Sequence, residues 1–304
     1  MFKKKFVERY SQLTDFEAFS AASMKYPRKS IRVNTLKIPV PSLVKRLEKE
    51  WTLEQVPWCE EGFWLEHYKG RRDVGNLIEH TLGYIYIQDA ASMIPPIVLD
   101  AKPGDYVLDM CASPGSKSSQ IAAQLGKEGF LVANDYKGIR LAPLGLNLQR
   151  VGAYNVLITL SEGGFFKDVL FDKILVDAPC SGTGTIRKSQ KTIQMWNPNV
   201  IKRLAGTQRQ LITTAFRCLK PGGTLVYSTC SCEPEENEGV ITHLLETFED
   251  ADVMDVDLPM KRSEPVQEFN GKRYSPEVKK TIRIWPQDND TEGFFVAKIR
   301  KSGS

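Results

Sequence analysis

Two cysteines follow short apolar segments that have the character of buried strands. Cys180 stands three residues after Asp177, and Cys230 follows Ser228 and Thr229 at the end of the next such segment. Because neighbouring parallel strands end at the same edge of a sheet, both thiols and the Asp177 carboxylate are expected in one pocket. A lone cysteine at the start of a loop is more often a small buried hydrophobe, so the prediction depends on the matched pair.

These groups suit methylation of a pyrimidine at carbon 5. That carbon is a weak nucleophile until a thiolate adds to carbon 6, and a carboxylic acid near N3 favours the addition by stabilising charge on the ring. Asp177, one thiol and S-adenosylmethionine cover the first half of the reaction. The second thiol could assist the elimination that releases the methylated base.

A loop of small residues precedes these segments and indicates a cofactor site. Residues 111–117 (Cys-Ala-Ser-Pro-Gly-Ser-Lys) follow a predicted strand and lead into a helix, whose N-terminus offers free N–H groups to a carboxylate. The loop matches neither GxGxxG nor the complete Walker pattern, which disfavours a dinucleotide or a nucleoside triphosphate. Asp135, at the end of the next strand, can accept hydrogen bonds from ribose hydroxyls. Together the two features favour an adenosine-type ligand.

The elements that position these groups begin near residue 105. Short apolar strands alternate with helical patterns, which predicts an α/β fold with a doubly wound, mostly parallel sheet covered on both faces. Strands are expected over 106–110, 130–134, 155–159, 173–177, 224–228, 253–256 and 294–299. Helices are expected over 117–125, 138–150, 200–219 and 235–248. Residues 259–292 are polar and weakly patterned, which predicts a long surface excursion.

The first hundred residues lack this alternation and predict a small α+β subdomain. The expected elements are a helix over 6–24, a strand over 31–36, a helix over 43–50 capped by Ser42, and a strand over 84–87. We therefore expect an N-terminal subdomain that contacts the substrate, residues 1–100, and a methyltransferase domain, residues 101–304.

Composition and charge narrow the class of protein. With 304 residues, 41% hydrophobic and 26% charged, the chain is neither disordered nor fibrous, and no apolar run is long enough to span a bilayer. Residues 1–50 hold twelve Lys and Arg against five Asp and Glu, a surplus of seven, whereas the net charge of the whole chain is +4. This asymmetry predicts a segment that faces a polyanion; the alternative is a solvated helix face.

Cysteine and histidine usage indicates reduced thiols and no metal. None of the six cysteines forms a Cys-x-x-Cys pair, and there are three histidines. No signal-peptide pattern is visible, so we expect a cytoplasmic protein. We also expect a monomer with no metal ion and no membrane partner.

The motifs, taken in order, resemble those of the Nop/Sun (RsmB-like) RNA cytosine-5 methyltransferases. The matching segments are residues 108–117 (LDMCASPGSK), 177–184 (DAPCSGTG), 220–231 (KPGGTLVYSTCS) and 233–238 (EPEENE), with weaker matches at 32–36 and 293–298. The resemblance spans nearly the whole chain. It implies a class I S-adenosylmethionine-dependent methyltransferase with a Rossmann-like fold.

The resemblance also implies a role for each matching residue. Cys230 would be the nucleophile, Cys180 would help release the product, and Asp177 would contact the cytosine. The implied cofactor-binding residues are Cys111, Ala112, Ser113, Pro114, Gly115, Ser116, Lys117, Asp135, Arg140, Glu162 and Asp177. Glu162 stands where the family usually has Asp beside the adenine. The implied substrate-binding residues are Lys117, Pro179, Arg32 and Lys29.

The short N-terminal extension is most similar to that of the compact archaeal tRNA methyltransferases. RNA is therefore the expected partner, with tRNA as the substrate and ribosomal RNA as the alternative. A catalytically silent RNA-binding factor is a further alternative, which the pair Cys180 and Cys230 disfavours. An amino-group methyltransferase is disfavoured because the segment after Asp177 lacks the expected aromatic residue. Trp196 could stack on RNA or fill the core.

Overall fold

The N-terminal part of the chain is built on a four-stranded antiparallel sheet. The computed structural model describes residues 2–167 and 169–303. Its first elements are α1 (Lys4–Tyr10), α2 (Phe16–Met24), β1 (Lys29–Val33), α3 (Val40–Leu47), β2 (Trp51–Gln55), β3 (Gly62–His67), α4 (Ile78–Thr81), β4 (Ile85–Ile87) and α5 (Ile94–Leu99). The strand order is β2-β3-β1-β4. The predicted small α+β subdomain is confirmed.

Two helix predictions in this part were wrong in detail. The helix expected over 6–24 is divided in two, because the side chain of Asp15 accepts hydrogen bonds from the backbone N–H groups of Glu17 and Ala18 and so starts α2. The next helix begins at Val40, before Ser42, and Pro39 is its N-cap residue. Ser42 therefore lies within α3 and does not cap it.

The remaining elements form the predicted mixed sheet and its covering helices. They are β5 (Tyr106–Asp109), α6 (Ser116–Leu125), β6 (Phe130–Asp135), α7 (Gly138–Val151), β7 (Val156–Leu160), β8 (Phe171–Asp177), α8 (Lys191–Met195), α9 (Pro198–Arg217), β9 (Leu219–Thr229), α10 (Glu238–Thr247), β10 (Ala251–Met254), β11 (Glu268–Phe269), β12 (Lys272–Arg273), β13 (Ile282–Ile284), α11 (Pro286–Asn289) and β14 (Phe294–Lys301). Short 3-10 turns cover 74–76, 91–93, 163–165, 183–185 and 276–280.

The sheet has the order β10-β14-β9-β8-β5-β6-β7, and β13 pairs with the first three residues of β14. The strands from β9 to β7 are parallel, and β14, β10 and β13 are antiparallel to their neighbours. This confirms the doubly wound, mostly parallel α/β fold of class I methyltransferases. The strand expected over 224–228 is longer than predicted: β9 begins at Leu219 and ends at Thr229.

Register sets the positions of the predicted site segments. In the β8–β9 pair, Asp177 lies opposite Ser228, so the chain leaves both strands at the same edge. In the antiparallel β9–β14 pair, Thr229 lies opposite Phe295, which brings the start of β14 to that edge as well. The strand pairing therefore places the loops that carry Cys180 and Cys230 side by side.

Side chains alternate between the two faces of the sheet and fill two cores. Along the central strands, Val107, Leu175 and Val226 face the core beneath α5 and α6, whereas Leu108, Ile174 and Tyr227 face the core beneath α9 and α10. This period of two is the pattern that burial on both faces of a parallel sheet requires.

The first two helices, α1 and α2, pack against elements that follow β5 and not against the N-terminal sheet. Phe6 and Phe19 share a core with Trp285 and Trp196, and the Trp196 ring meets Phe6 edge-on at 5.3 Å. The indole N–H of Trp196 donates to Glu233 at 2.9 Å. Trp196 therefore fills the core, which decides between the two interpretations of this residue.

The prediction of a surface excursion over 259–292 was wrong. The segment contains β11, β12, β13 and α11, and most of its apolar residues are buried. They are Phe269, Tyr274, Val278, Ile282, Ile284 and Trp285. Arg283 is 1% exposed and makes a bidentate ion pair with Glu238, at 2.8 and 2.6 Å. From the sequence alone, an arginine is expected at the surface, because its buried counter-charge cannot be recognised. For this reason the sequence analysis did not assign the segment to the core.

None of the helices in residues 2–167 and 169–303 has the length and apolar character needed to cross a membrane.

The buried ion pair of Arg283 gives a prediction for stability. We expect Glu238→Ala to lower the free energy of unfolding by about 3–5 kcal/mol, because it leaves the guanidinium buried without its counter-charge. Glu268→Ala is the control; it breaks the exposed pair with Arg273 and should cost at most about 1 kcal/mol. Urea denaturation measures both values. Equal losses for the two variants would contradict the prediction.

Candidate active site

Two thiols lie together at the edge where β8 and β9 end. The Sγ atoms of Cys180 and Cys230 are 3.3 Å apart. The loops approach closely because Gly184 donates its N–H to the carbonyl of Cys230, and a Cβ at Gly184 would come within 2.1 Å of the carbonyl oxygen of Gly293. The glycine that follows the first cysteine motif is thus required for the contact between the thiol loops.

The carboxylate of Asp177 lies in the same pocket and is oriented from both sides. One oxygen accepts from the Lys117 ammonium at 2.7 Å, and the other accepts from the Ser228 hydroxyl at 2.7 Å. Burial lowers the pKa of Lys117, but the charge and the hydrogen bond of Asp177, together with smaller effects of Cys230 and Asp109, outweigh it, so that the pKa is raised. Lys117 therefore remains a cation beside the thiols, and its Nζ also lies 5.4 Å from the centre of the Phe294 ring.

The two thiols differ in their surroundings. The pKa of Cys180 is raised well above its usual value, first by the hydrogen bond with Cys230 and then by burial and by the nearby charge of Glu236. Cys180 is therefore a protonated thiol at neutral pH, and its S–H can donate to the sulfur of Cys230. The sulfur of Cys230 therefore has a potential S–H donor at hydrogen-bond distance.

The predicted cofactor loop folds around Gly115 and is tied to the end of β6. Gly115 has a φ of +103°, in the region that favours glycine. The Arg140 guanidinium donates to the carbonyl of Ser113 at 2.7 Å and pairs with the buried carboxylate of Asp135 at 3.1 Å. Asp135 also accepts from the backbone N–H of Lys137 at 3.1 Å. The loop, Asp135 and Arg140 therefore form one connected unit.

A cavity of about 920 Å³ opens beside this unit. Its walls include Cys111, Tyr136, Glu162 and Pro179, together with residues of α9 such as Arg203 and Leu211. The volume is within the range of small-molecule sites, and the Glu162 side chain in the wall provides acceptors for hydroxyl and amine groups. Asp135 directly precedes Tyr136 of the wall. The residues present therefore fit an adenosine-type ligand with a charged tail.

Asp109 is a further residue at this site that the sequence analysis gave no role. It is 1% exposed; one carboxylate oxygen accepts from the Ser118 hydroxyl at 2.7 Å, and the other finds no hydrogen-bond partner among the described residues. Burial raises the pKa of Asp109 to about 7. The signal in the sequence is an acidic residue at the end of an otherwise apolar strand.

Arg32 does not lie on a basic surface, which corrects the expectation for this residue. It is 2% exposed and donates to the side chains of Gln88 at 2.9 Å and Ser119 at 2.6 Å. Burial lowers the pKa of Arg32 to about 10. Its guanidinium joins β1 to the first turn of α6, behind the predicted cofactor loop. Lys29, at the start of β1, is only half-buried.

Part of the positive charge in the first fifty residues is neutralised by ion pairs within the protein. Arg9 pairs with Glu233 at 2.7 Å and with Glu235 at 2.5 Å, and Arg46 pairs with Glu79 at 3.0 Å. The surplus of seven charges is therefore in part a structural feature of the interior and of intramolecular ion pairs. The exposed remainder is what a polyanion would meet.

The run 233–238 contains four glutamates, which bind side chains and backbone groups from different elements around the site. Glu233, Glu236 and Glu238 are fully buried. Glu233 accepts from Tyr10 and Trp196, and Glu238 pairs with Arg283. The sequence marked this run as a motif but did not indicate that its carboxylates point inward.

Across residues 2–167 and 169–303 there is no group of three or more His, Cys, Asp or Glu residues that could hold a metal ion.

Comparison with known proteins identifies related chains. A family model described as 16S rRNA methyltransferase RsmB/F matches residues 96–300, and a model described as the N-terminal domain of 16S rRNA methyltransferase RsmF matches residues 2–90. A protein named tRNA (cytosine(49)-C(5))-methyltransferase from Pyrococcus abyssi is 48% identical over 301 residues, which cover 98% of this chain and 96% of that protein.

Other relatives are longer than this chain. Ribosomal RNA small subunit methyltransferase F from Vibrio atlanticus is 45% identical over 296 residues; the match covers 95% of this chain but 61% of that protein.

Among solved structures, a methyltransferase homologue from Pyrococcus horikoshii has a TM-score of 0.87 at 41% identity, with 99% of this chain and 95% of that chain covered. NSun6 from Pyrococcus horikoshii, solved with SFG, shares the fold, with a TM-score of 0.85 at 24% identity and coverage of 100% and 99%.

The buried carboxyl of Asp109 gives a prediction for pH dependence. Its pKa of about 7 in the folded chain lies above the unfolded value, so the folded state binds more protons and this residue destabilises the fold as pH rises above about 4. As the pH is raised from 5 to 8, we expect the free energy of unfolding of Asp109→Asn to increase by roughly 2 kcal/mol relative to that of wild type. Denaturant titrations at both pH values measure the difference.

The control for Asp109→Asn is Asp255→Asn, which changes a carboxylate whose side chain is 70% exposed. Its stability relative to wild type should stay nearly constant over the same range. A constant difference for Asp109→Asn would show that its carboxyl is not held in the neutral form.

Proposed function

The chain belongs to the RsmB/F family of Nop/Sun RNA cytosine-5 methyltransferases, and from this premise we propose that it methylates carbon 5 of a cytosine in tRNA, with S-adenosylmethionine as the methyl donor. The observation that carries the chemistry is the 3.3 Å contact between the Cys180 and Cys230 thiols, beside the Lys117–Asp177 pair. A catalytically silent RNA-binding factor would have no use for two thiols in contact.

The choice of tRNA is supported by the extent of the matches. The relative named as a tRNA methyltransferase is matched over 96% of its length, whereas the relative named as a ribosomal RNA methyltransferase is matched over 61%. Ribosomal RNA remains the alternative substrate for the same chemistry.

The proposed cofactor site is the connected unit of loop 111–117, Asp135 and Arg140, together with the adjoining cavity. Asp135 would accept from the ribose hydroxyls and Glu162 would face the adenine. The α6 N-terminus and the loop N–H groups would face the carboxylate. S-adenosylmethionine, when bound, supplies an electrophilic methyl group.

The first step proposed for the chain's own residues is the attack of Cys230. Its thiolate forms a bond to carbon 6 of the cytosine, and the electrons of the C5–C6 double bond move to carbon 5, which becomes nucleophilic. Asp177, oriented by Lys117 and Ser228, contacts the base, and the Lys117 cation stabilises negative charge on the ring. The target base must leave its stack to reach the thiol.

The second step is release of the product, in which Cys180 takes part. A base removes the proton from carbon 5, the double bond re-forms, and the bond between carbon 6 and the Cys230 sulfur breaks. The contact of 3.3 Å between the two sulfurs supports this role, because Cys180 would then lie next to the bond that must break. Without Cys180 the enzyme should remain attached to its substrate.

These roles give opposite predictions for the two cysteines. We expect Cys230→Ala to abolish methyl transfer, with cofactor affinity unchanged, because no thiolate attacks carbon 6. We expect Cys180→Ala to accumulate a covalent protein–RNA complex that survives denaturing electrophoresis. Cys59→Ser, which changes a buried cysteine of the N-terminal part, is the control and should form no such complex. Normal turnover by Cys230→Ala would contradict the assignment.

The same reactions can identify the substrate. Purified total tRNA and total ribosomal RNA are incubated separately with the enzyme and the methyl donor, and bisulfite sequencing locates new 5-methylcytosine. We expect a single modified position in tRNA. Methylation confined to ribosomal RNA would select the alternative substrate, and methylation of neither would contradict the proposed function.

The proposed division into residues 1–100 and 101–304 is supported by the two separate sheets. RNA contact by the N-terminal subdomain is supported by the segment before β1. Tyr26 is 76% exposed, and the guanidinium of Arg72 lies 4.5 Å from the centre of its ring. Arg187, soon after Cys180 in sequence, donates to the carbonyl of Tyr26 at 3.2 Å. Arg187 thus ties the backbone of Tyr26 to the segment that follows Cys180, and Tyr26 and the nearby Lys29 suit stacking and phosphate contact.

This surface gives a prediction for RNA affinity. We expect Lys29→Ala to reduce the slope of log K against log salt by about 1, because one fewer phosphate is neutralised. Tyr26→Ala should weaken binding by about 1–3 kcal/mol and leave the slope unchanged, because stacking is not a charge effect. Filter binding at several salt concentrations measures both.

Lys279→Ala is the matched control, because this exposed lysine lies on the 3-10 turn that packs against α10 and β10. It should change neither affinity nor slope. An unaltered slope for Lys29→Ala would remove this lysine from the RNA surface.

A further inference from the structure

Glu236 is a buried carboxylate that joins the two thiol loops. It is 0% exposed. One of its oxygens accepts from the Ser231 hydroxyl at 2.5 Å and from the Ser181 hydroxyl. The other accepts from the Ser181 backbone N–H at 2.9 Å and from the Gln208 amide at 3.0 Å. Two serines from different strand ends therefore converge on one side chain.

Each of these serines is the residue directly after a cysteine of the site. Ser181 follows Cys180, and Ser231 follows Cys230. The two hydroxyls also lie 3.1 Å from each other. The distance between the serines is thus fixed by a shared acceptor, and the position of each thiol follows from that of its neighbour.

We propose that Glu236 is a positioning residue that holds the Cys180 and Cys230 thiols in contact by bridging Ser181 and Ser231. The catalytic consequence rests on the proposed function, since it matters only if both thiols act on one base. The geometric consequence does not, because it concerns the distance between the sulfurs in the free protein.

The surroundings of Glu236 fix its own position. The Tyr227 hydroxyl donates to its backbone carbonyl at 2.6 Å. The Asn237 amide donates to the carbonyl of Ser231 at 2.8 Å, and Gln208 also donates to the carbonyl of Pro179 at 2.9 Å. The carboxylate is therefore fastened to both loops and to α9. No Lys or Arg is among its hydrogen-bond partners within the described residues. Its carboxylate oxygens accept hydrogen bonds only from hydroxyl, amide and backbone N–H donors there.

The charge of Glu236 has a second effect on the thiols. It contributes to the raised pKa of Cys180 and so helps keep that thiol protonated. Glu236→Gln separates this effect from positioning. The amide has the same shape and can donate to the serine hydroxyls, which can accept, so the bridge is retained while the charge is lost.

The distance between the thiols can be measured without RNA. Phenylarsine oxide reacts with two neighbouring thiols to give two As–S bonds and one molecule of water, and it binds a single thiol far less tightly. We expect wild type to bind one equivalent in competition with 2-mercaptoethanol, and Cys180→Ala to lose this binding. Glu236→Ala should bind the reagent about tenfold or more weakly, because two-point binding depends on the separation of the points.

The variants form a matched series. Glu236→Gln should stay within about threefold of wild type in arsenical affinity, because it keeps the bridge. The double variant Ser181→Ala/Ser231→Ala should reproduce Glu236→Ala, and the triple variant should add little, because all three changes break one interaction. Glu233→Gln is the control for loss of a buried carboxylate in the same segment; it should lower the melting temperature but preserve arsenical affinity.

Activity measurements complete the test. Glu236→Ala should lose on the order of 100-fold in kcat, with KM for RNA and cofactor affinity nearly unchanged, because a small displacement of a reacting group acts on the chemical step. A folded Glu236→Ala protein that keeps wild-type arsenical affinity would overturn the proposal, and Glu236→Gln and the serine variants provide the same test if Glu236→Ala does not fold. Loss of arsenical affinity in a protein that methylates no RNA would support the positioning role and contradict the proposed function.

Discussion

The pairing of β8 with β9 is the constraint on which the site depends. Its register sets Asp177 opposite Ser228, so the strands end together and their loops leave the sheet in parallel. A shift of one residue would exchange the faces of the sheet and move every side chain of one strand to the other core. The alternating core contacts of Ile174, Leu175, Val226 and Tyr227 fix this register over both faces. Packing far from the thiols therefore determines that the thiols meet.

Strand pairing alone does not bring two loops to within 3.3 Å, and buried polar groups complete the approach. The segment 233–238 inserts three carboxylates into the interior, and each has a different set of donors. Glu238 is neutralised by Arg283, and Glu233 by Arg9 with hydroxyl and indole donors. Glu236 has hydroxyl, amide and backbone donors, and burial raises its pKa. One short segment thus connects α1, both thiol loops and β13, and it does so with groups that are costly to leave unpaired.

The sequence predicted what depends on local pattern. The parallel strands, the loop before α6 and the convergence of Cys180, Cys230 and Asp177 follow from periodicity and strand ends, because these features repeat every few residues. Arg32, Glu236 and the segment 259–292 were missed or misjudged for one shared reason. A charged residue is given a surface position unless its partner is known, and the partners of these residues lie far away in sequence: Ser119 for Arg32, Ser181 for Glu236 and Glu238 for Arg283.

The distribution of charge follows the same division between interior and surface. Of the basic residues in the first fifty, Arg9 and Arg46 pair with glutamates and Arg32 is buried, so the surplus seen in the sequence overstates the field that RNA meets. Long-range attraction of a polyanion would come from the exposed lysines of this segment, and its range is limited by salt. Arg187 connects this N-terminal segment to the large sheet. Its side chain is 1% exposed and donates to the carbonyl of Tyr26, before β1, and to the carbonyl of Thr291, just before β14. The segment proposed to contact RNA is thereby tied to β14, which pairs with β9, the strand that ends just before Cys230. RNA bound to this segment would then lie in a fixed position relative to the thiols.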